Sequence, residues 1–406
     1  MKKMLSENKN LLMFNISRTS SITAFIPFEI YAMYFFSVSP SGRYIFGIIM
    51  IVSVIIGMVS SPLYGNIIDL IPRKLIIKKI LLSWIFVSIP LSLIWKFFKF
   101  PPIIYIVPFM LFIGVTDELL WRSLIALQQN IASYKNYGKS NGIAEISGQL
   151  PTIIGPAISI PVLLYLGAYF SLLVGSLMCI IPLYFISRIN ENFIPESFKP
   201  RDKKGTFNMA KKYPYEIIFI FLLNFPYIMI SVGNFLKPVF IVTVIHGNAS
   251  SIAISEMVYA VFASFTGMIL TFTLKKHEIL LAYSFFSMYI IGSLLMPFSG
   301  IFMIYLICQG IHGIGNPGTR ISRNTFVMKH VENKYSGRFN SALSLFTNAS
   351  RLLLLIIFTT FINILGSKEL LFLSAIMLII IISLSILITR KPEVKNFING
   401  KSIIKL

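Results

Sequence analysis

Charge is what this sequence has least of. Asp, Glu, Lys and Arg make up 13% of its 406 residues, about half the ~25% of an average soluble domain. That scarcity excludes an ordinary water-soluble fold. Acids are scarcer still, 15 Asp and Glu against 36 Lys and Arg. His246, His277, His312 and His330 share no ligand spacing, and Cys179 and Cys308 each fall inside an apolar run. Cysteine there packs as a small hydrophobe, so neither a metal centre nor a disulfide is expected. No Gly-x-x-x-x-Gly-Lys-Ser/Thr loop is present to cradle a nucleotide, and no Gly-x-Ser-x-Gly elbow to present a nucleophile. The sequence therefore predicts no enzyme, no cofactor and no ATP-driven machine. The net charge of +21 is dispersed between apolar runs rather than gathered on one face, which argues against a nucleic-acid partner.

Apolar length is what the sequence has in excess. Hydrophobic residues make up 56% of the chain and the mean hydropathy is +0.79. Runs of about 20 apolar residues recur, each long enough to cross ~30 Å of hydrocarbon. We read twelve spans, at about 12–36, 43–66, 75–96, 102–129, 142–165, 168–188, 214–242, 250–273, 278–298, 300–321, 341–364 and 368–389. The expected fold is an all-α polytopic membrane protein, twelve transmembrane helices in two pseudo-symmetric six-helix bundles. Residues 1–188 form the first bundle, 189–213 a hydrophilic linker, and 214–406 the second bundle with a tail. Met1-Lys2-Lys3 is not followed by a small-residue cleavage site, so no signal peptide is expected. Of the 36 Lys and Arg, 28 fall on the side of both termini and 4 on the other, while Arg18, Arg122, Lys237 and Arg351 lie within spans. By the positive-inside rule this predicts a multi-pass protein of the plasma membrane with both termini cytoplasmic.

The two halves echo each other. Gly65 precedes Arg73 by eight residues, and Gly267 precedes Lys275 by eight, with Lys276 beyond it. Tyr137-Gly138-Lys139-Ser140-Asn141 is echoed by Ser336-Gly337-Arg338-Phe339-Asn340. The offsets, 202 and 199 residues, nearly agree. Such near-constant offsets point to a duplicated membrane unit, a common construction among secondary transporters.

The loop between spans two and three, Gly65 through Lys74, resembles the signature Gly-x-x-x-Asp-Arg-x-Gly-Arg-Arg/Lys of the major facilitator superfamily. Gly65, Asp69, Arg73 and Lys74 match; Leu70 and Pro72 depart from it. Gly337-Arg338 before span eleven and Ile254-Ser255-Glu256 entering span eight are most similar to the macrolide-efflux branch of drug exporters. The resemblance implies two six-helix bundles around a central cavity, working by alternating access. It makes Gly65, Asp69, Arg73 and Lys74 a cytoplasmic latch, and Gly155-Pro156 a span-five packing motif of exporters. A topology signal alone is the other reading of Arg73 and Lys74.

Charges within spans are costly and point to function by default. Glu29 lies well inside span one, where a carboxylate can take a proton from one side and release it to the other. The alternative is a structural pair with Arg18 or Arg351. In span four, Glu118 and Arg122 are four residues apart and can pair on one helical face. Asp117 points about 100° away, either toward another helix or toward a cavity as a second proton site. Arg351 reads as an ion-pair partner for an acid or as a ligand for an anionic group. Lys237 and Arg18, near span ends, are expected to snorkel. Gln309, His312 and Asn316 share one stripe of span ten and are candidates for a cavity wall, as are Asn224 and Asn234 in span seven and Tyr31 and Tyr34 near Glu29.

These readings converge on a proton-coupled secondary transporter exporting an amphipathic organic compound. Its partners would be that solute, protons and the bilayer, and it would work as a monomer. An importer of a small nutrient with the same fold, or a non-transporting sensor or immunity protein, are the alternatives.

Overall fold

The computed structural model describes residues 2–98, 100–131, 147–191, 209, 211–273, 277–400 and 404. The echo Tyr137–Asn141, Lys275, Lys276 and most of the linker lie outside the described residues. The first half runs α1 (Lys2–Thr23), α2 (Ile26–Val38), α3 (Pro40–Leu70), α4 (Arg73–Phe97), α5 (Ile103–Ile131), α6 (Pro151–Pro161), α7 (Ala168–Met178) and α8 (Ile180–Ser187). Beyond the linker come α9 (Pro214–Leu222), α10 (Phe225–Thr243), α11 (Ala249–Thr273), α12 (Glu278–Leu295), α13 (Phe302–His330), α14 (Asn333–Leu365), α15 (Ser367–Ile388) and α16 (Pro392–Ile398). Eleven stretches among the described residues are long and apolar enough to cross a membrane. The remaining expected span, span ten, is α13. It is long enough at 29 residues, but it buries Gln309, His312, Asn316, Thr319, Ser322 and Arg323 along its length.

Two compact units form. One contains Met1–Phe36, Ile49–Lys199 and Asn248–Met257; the other contains Ser37–Ile48, Pro200–Gly247 and Val258–Leu406. The units follow the two sequence halves except at the start of α3 and the start of α11. In the second unit the start of α3 packs closely. Phe46 meets Phe235 with ring centroids 5.8 Å apart, and the Asn363 amide donates to the Pro40 carbonyl at 2.9 Å.

Spans one and seven, expected as continuous helices, are each broken. The first divides into α1 and α2 at Ala24–Phe25, the second into α9 and α10 at Leu223–Asn224. Proline is the cause. Pro27 and Pro226 each occupy the first turn of the following helix, where the missing N–H is harmless to that helix but ends the preceding one. They are 199 residues apart, the offset of the Gly138–Gly337 echo. The first break is held by close packing within its unit. A Cβ on Gly155 would stand 2.4 Å from the Ile26 side chain, and one on Gly175 would stand 2.9 Å from the Ala24 carbonyl. Only glycine lets spans five and six approach the break this closely.

Hydroxyls act as glue between helices of the first unit. Ser17 donates to the Pro182 carbonyl at 3.2 Å, Thr19 to the Ser147 carbonyl at 3.0 Å and Ser92 to the Tyr169 carbonyl at 2.7 Å. Near the other end of the chain, α16 places Phe397 against Phe326 and His330, and Ile404 bridges to Val331. The expected tail is therefore folded against the end of α13.

Candidate functional site

The break in span one positions the first unit's charges. Glu29 sits in the first turn of α2, half-buried. Asp117, exposed on α5, is within electrostatic reach of it. Neither carboxylate makes a hydrogen bond or ion pair to a cationic side chain among the described residues. The neighbouring carboxylate, Glu118, accepts from the Arg122 Nε at 2.8 Å, so Glu118 and Arg122 satisfy each other within one turn.

Arg18 does not snorkel. It is 8% exposed and lies over the Trp121 ring, 4.8 Å from its centroid. The indole face offers a cation–π contact in place of water. Trp121 stands one helical turn from Asp117, so α5 carries an acid and an aromatic ring on one face. Tyr31 contacts Trp95 at 5.8 Å and Phe35 at 6.1 Å, and Trp95 stacks on Tyr105 at 5.3 Å. Tyr34 is half-buried close to Tyr31. An aromatic cluster thus lies within two turns of Glu29.

Gly65 and Asp69 fall in the last turns of α3, with their side chains outside the described residues. Arg73 and Lys74 open α4. A helix start carries partial positive charge, and two basic residues there add to it. Pro72, at the cap position, has no side-chain acceptor to offer. Glu191 supplies one from 118 residues away. Its carboxylate accepts from the Arg73 N–H at 3.0 Å and the Lys74 N–H at 2.9 Å, while Lys74 Nζ donates to the Ile189 carbonyl at 2.7 Å. Sequence reading placed Glu191 in the linker. Only the fold of span six against span three brings it to this helix start. Glu191→Ala is expected to destabilise the first unit by about 1 kcal/mol. A thermal unfolding midpoint in detergent equal to wild type would refute the cap.

In the second unit, the span-ten candidates share one stripe but are buried against neighbouring helices. Gln309 accepts from Lys237 Nζ at 2.7 Å, and Asn316 donates to the Tyr259 hydroxyl at 2.8 Å. Lys237, expected to snorkel, is 6% exposed and lies 5.8 Å from the Tyr259 ring centroid. His312 Nε2 meets the Ser293 hydroxyl at 3.0 Å. That hydroxyl also donates to the Tyr289 carbonyl at 2.9 Å. His312, Lys237, Ser293 and Tyr289 border a cavity of about 20 Å³, room for one water molecule. Asn234 is exposed on α10.

Asn224 is the residue at the span-seven break. It donates to the Thr347 hydroxyl at 2.8 Å and accepts from Arg323 NH1. Sequence reading missed Arg323. It and Arg320 were counted as loop charges after span ten, whereas α13 continues to His330 and Arg323 is 7% exposed. The signal was present, because the polar stripe at 309, 312 and 316 continues at helical spacing through 319 and 323. Arg351, on α14, is not paired with an acid among the described residues; its guanidinium lies 6.0 Å from the Tyr227 ring centroid.

Apolar helices long enough to span a membrane, breaks at Pro27 and Pro226, and a buried polar stripe along α13 make this a polytopic membrane protein with the construction of a transporter. The family profile described as Major Facilitator Superfamily matches residues 11–354. This chain belongs to the major facilitator superfamily. The comparison with curated proteins gives no match. Among solved structures, it is similar to a POT family transporter in complex with a thioalcohol-conjugated peptide, at 14% identity and TM-score 0.72, covering 94% of this chain and 95% of that one. It is also similar to a bacterial homologue of the iron transporter ferroportin in an inward-facing state, at 12% identity and TM-score 0.67, covering 96% and 99%. A bacterial homologue of the human lysosomal transporter Spinster gives 12% identity and TM-score 0.67, covering 97% and 98%. At these identities the likeness is one of fold.

Proposed function

We propose that the protein is a proton-coupled exporter of an amphipathic organic compound, a multi-pass protein of the plasma membrane with both termini cytoplasmic. One observation carries the coupling: Glu29 and Asp117 lie within electrostatic reach of each other and no cation pairs with either among the described residues. Two such carboxylates in a membrane span do not both hold full charge at low cost, so a proton or a cationic group relieves them. Exchange of one occupant for the other couples their movements. The aromatic cluster around Tyr31 supplies apolar surface beside the charge, suiting a solute with both characters. The Arg73–Lys74 helix start, tied to Glu191, serves as the anchored part of the latch.

Everted vesicles test this reading. After the lumen is acidified by respiration, a panel of macrolides, cationic dyes and peptides is added and luminal pH is followed. Proton antiport predicts alkalinisation with at least one compound, absent from vesicles without the protein. Proton-independent flux of a compound that the protein does carry would contradict it.

A further inference from the structure

The second unit holds a pair of guanidinium groups with no acidic partner among the described residues. Arg323 is 7% exposed, and its partners are neutral amides. NH1 donates to the Asn224 Oδ1, while Nε and NH2 donate to the Asn324 Oδ1 at 3.3 and 2.9 Å. A guanidinium carries five N–H groups, so one N–H on each terminal nitrogen is left over. Asn224 is itself fixed by Thr347 at the span-seven break, which holds the Arg323 fork in place. Arg351 is half-buried on the next helix, and its Nε is buried with no hydrogen-bond acceptor. Asn224, which holds Arg323 and is bonded to Thr347 one turn from Arg351, caps α10, and Tyr227 stands on the first turn of that helix. Arg351 lies 6.0 Å from its ring centroid, and Arg323 is within its electrostatic reach. Arg320, one turn before Arg323, adds to the positive potential there. Three helices thus bring two forked cations to one partly exposed aromatic ring. Among the described residues, no carboxylate forms an ion pair with either arginine.

Buried cations of this kind persist when a ligand supplies the counter-charge. Arginine forks match the planar pair of oxygens on a carboxylate and the oxygens of a phosphonate or phosphate. Tyr227 offers a flat apolar face beside them.

We propose that Arg323, Arg351 and Tyr227 form an anion-binding site in the second unit, taking a carboxylate, phosphonate or phosphate group. This deepens the transporter reading by assigning an anionic group to the bound molecule. That molecule is a transported solute or the headgroup of an anionic lipid.

The test uses the full-length protein in phosphatidylcholine nanodiscs, titrated calorimetrically with benzoate, phenylphosphonate and benzyl alcohol. The expected result is saturable binding of the two anions and none of the alcohol. Arg351→Gln and Arg323→Gln should each weaken anion binding by about tenfold or more, the worth of one charge-assisted hydrogen-bonded contact. Arg351→Lys keeps the charge without the fork and should weaken binding less than Arg351→Gln. Monodispersity on size exclusion confirms that each variant is folded. Phosphatidylglycerol in the discs separates the two sources. Competition with benzoate identifies a headgroup, and unchanged benzoate affinity identifies a solute; both support the site. Absence of anion binding by folded wild type, or equal binding in wild type and both glutamine variants, overturns it. No pH gradient is present, so failure here leaves proton coupling standing, and failure of coupling leaves this site standing.

Discussion

Glu29→Gln is expected to reduce substrate-driven proton movement to background while the protein stays folded. Glutamine preserves the shape of the side chain and its hydrogen-bonding capacity but cannot carry a proton across. Asp117 lies within electrostatic reach and no cation pairs with Glu29 among the described residues, so a neutral glutamine leaves no partner charge unsatisfied. The substitution therefore removes exchange without leaving a buried charge behind. One charge moved per cycle is worth ~2.3 kcal/mol per 100 mV, equivalent to about a 50-fold solute gradient. Loss of coupling should bring that gradient down to equality. Asp117→Asn is expected to weaken coupling in the same direction. Luminal pH in everted vesicles checks both, and wild-type alkalinisation by Glu29→Gln would remove Glu29 from the coupling step.

Gly315→Ala should be among the most damaging single-methyl changes in the second unit. A Cβ at 315 would lie 2.6 Å from the Tyr289 nitrogen and 2.8 Å from the Phe285 carbonyl oxygen. These are backbone atoms of α12, so no rotamer change relieves the contact and the two helices must separate. Overpacking usually costs about 1–3 kcal/mol; a backbone contact belongs at the top of that range. Separating α12 from α13 also disturbs the His312–Ser293 hydrogen bond. Gly57 on α3 provides the contrast, since nothing lies within 4 Å of a Cβ there. Thermal unfolding in detergent should show a clear loss for Gly315→Ala and none for Gly57→Ala. Equal midpoints would refute the close approach of α12 and α13.

Much of this architecture is legible in the sequence because the bilayer imposes a simple rule: about 20 apolar residues per crossing. Span positions and the superfamily follow from that rule and from the Gly65–Lys74 loop. The Glu118–Arg122 contact follows from helix geometry alone. What escaped reading depends on contacts distant in sequence. Glu191 caps α4 from across 118 residues, and no local pattern marks it. Lys237 and Arg18 read as snorkelling because they lie near span ends. A glutamine and an indole face, respectively, hold them inside instead. Arg323 was hidden by a rule that assigns basic residues to loops, although its helical phase with Asn316 pointed inward. The breaks at Pro27 and Pro226 were open to view, as proline ends the helix before it.

The most direct test of the account compares two fluxes in the same proteoliposomes, using a compound that gives the vesicle response. One is solute-for-solute exchange with no pH gradient; the other is net transport driven by a pH gradient. Wild type should perform both. Glu29→Gln should retain exchange and lose gradient-driven transport, because rocking and solute binding survive while proton exchange does not. Gradient-driven transport at the wild-type rate in Glu29→Gln would contradict the account.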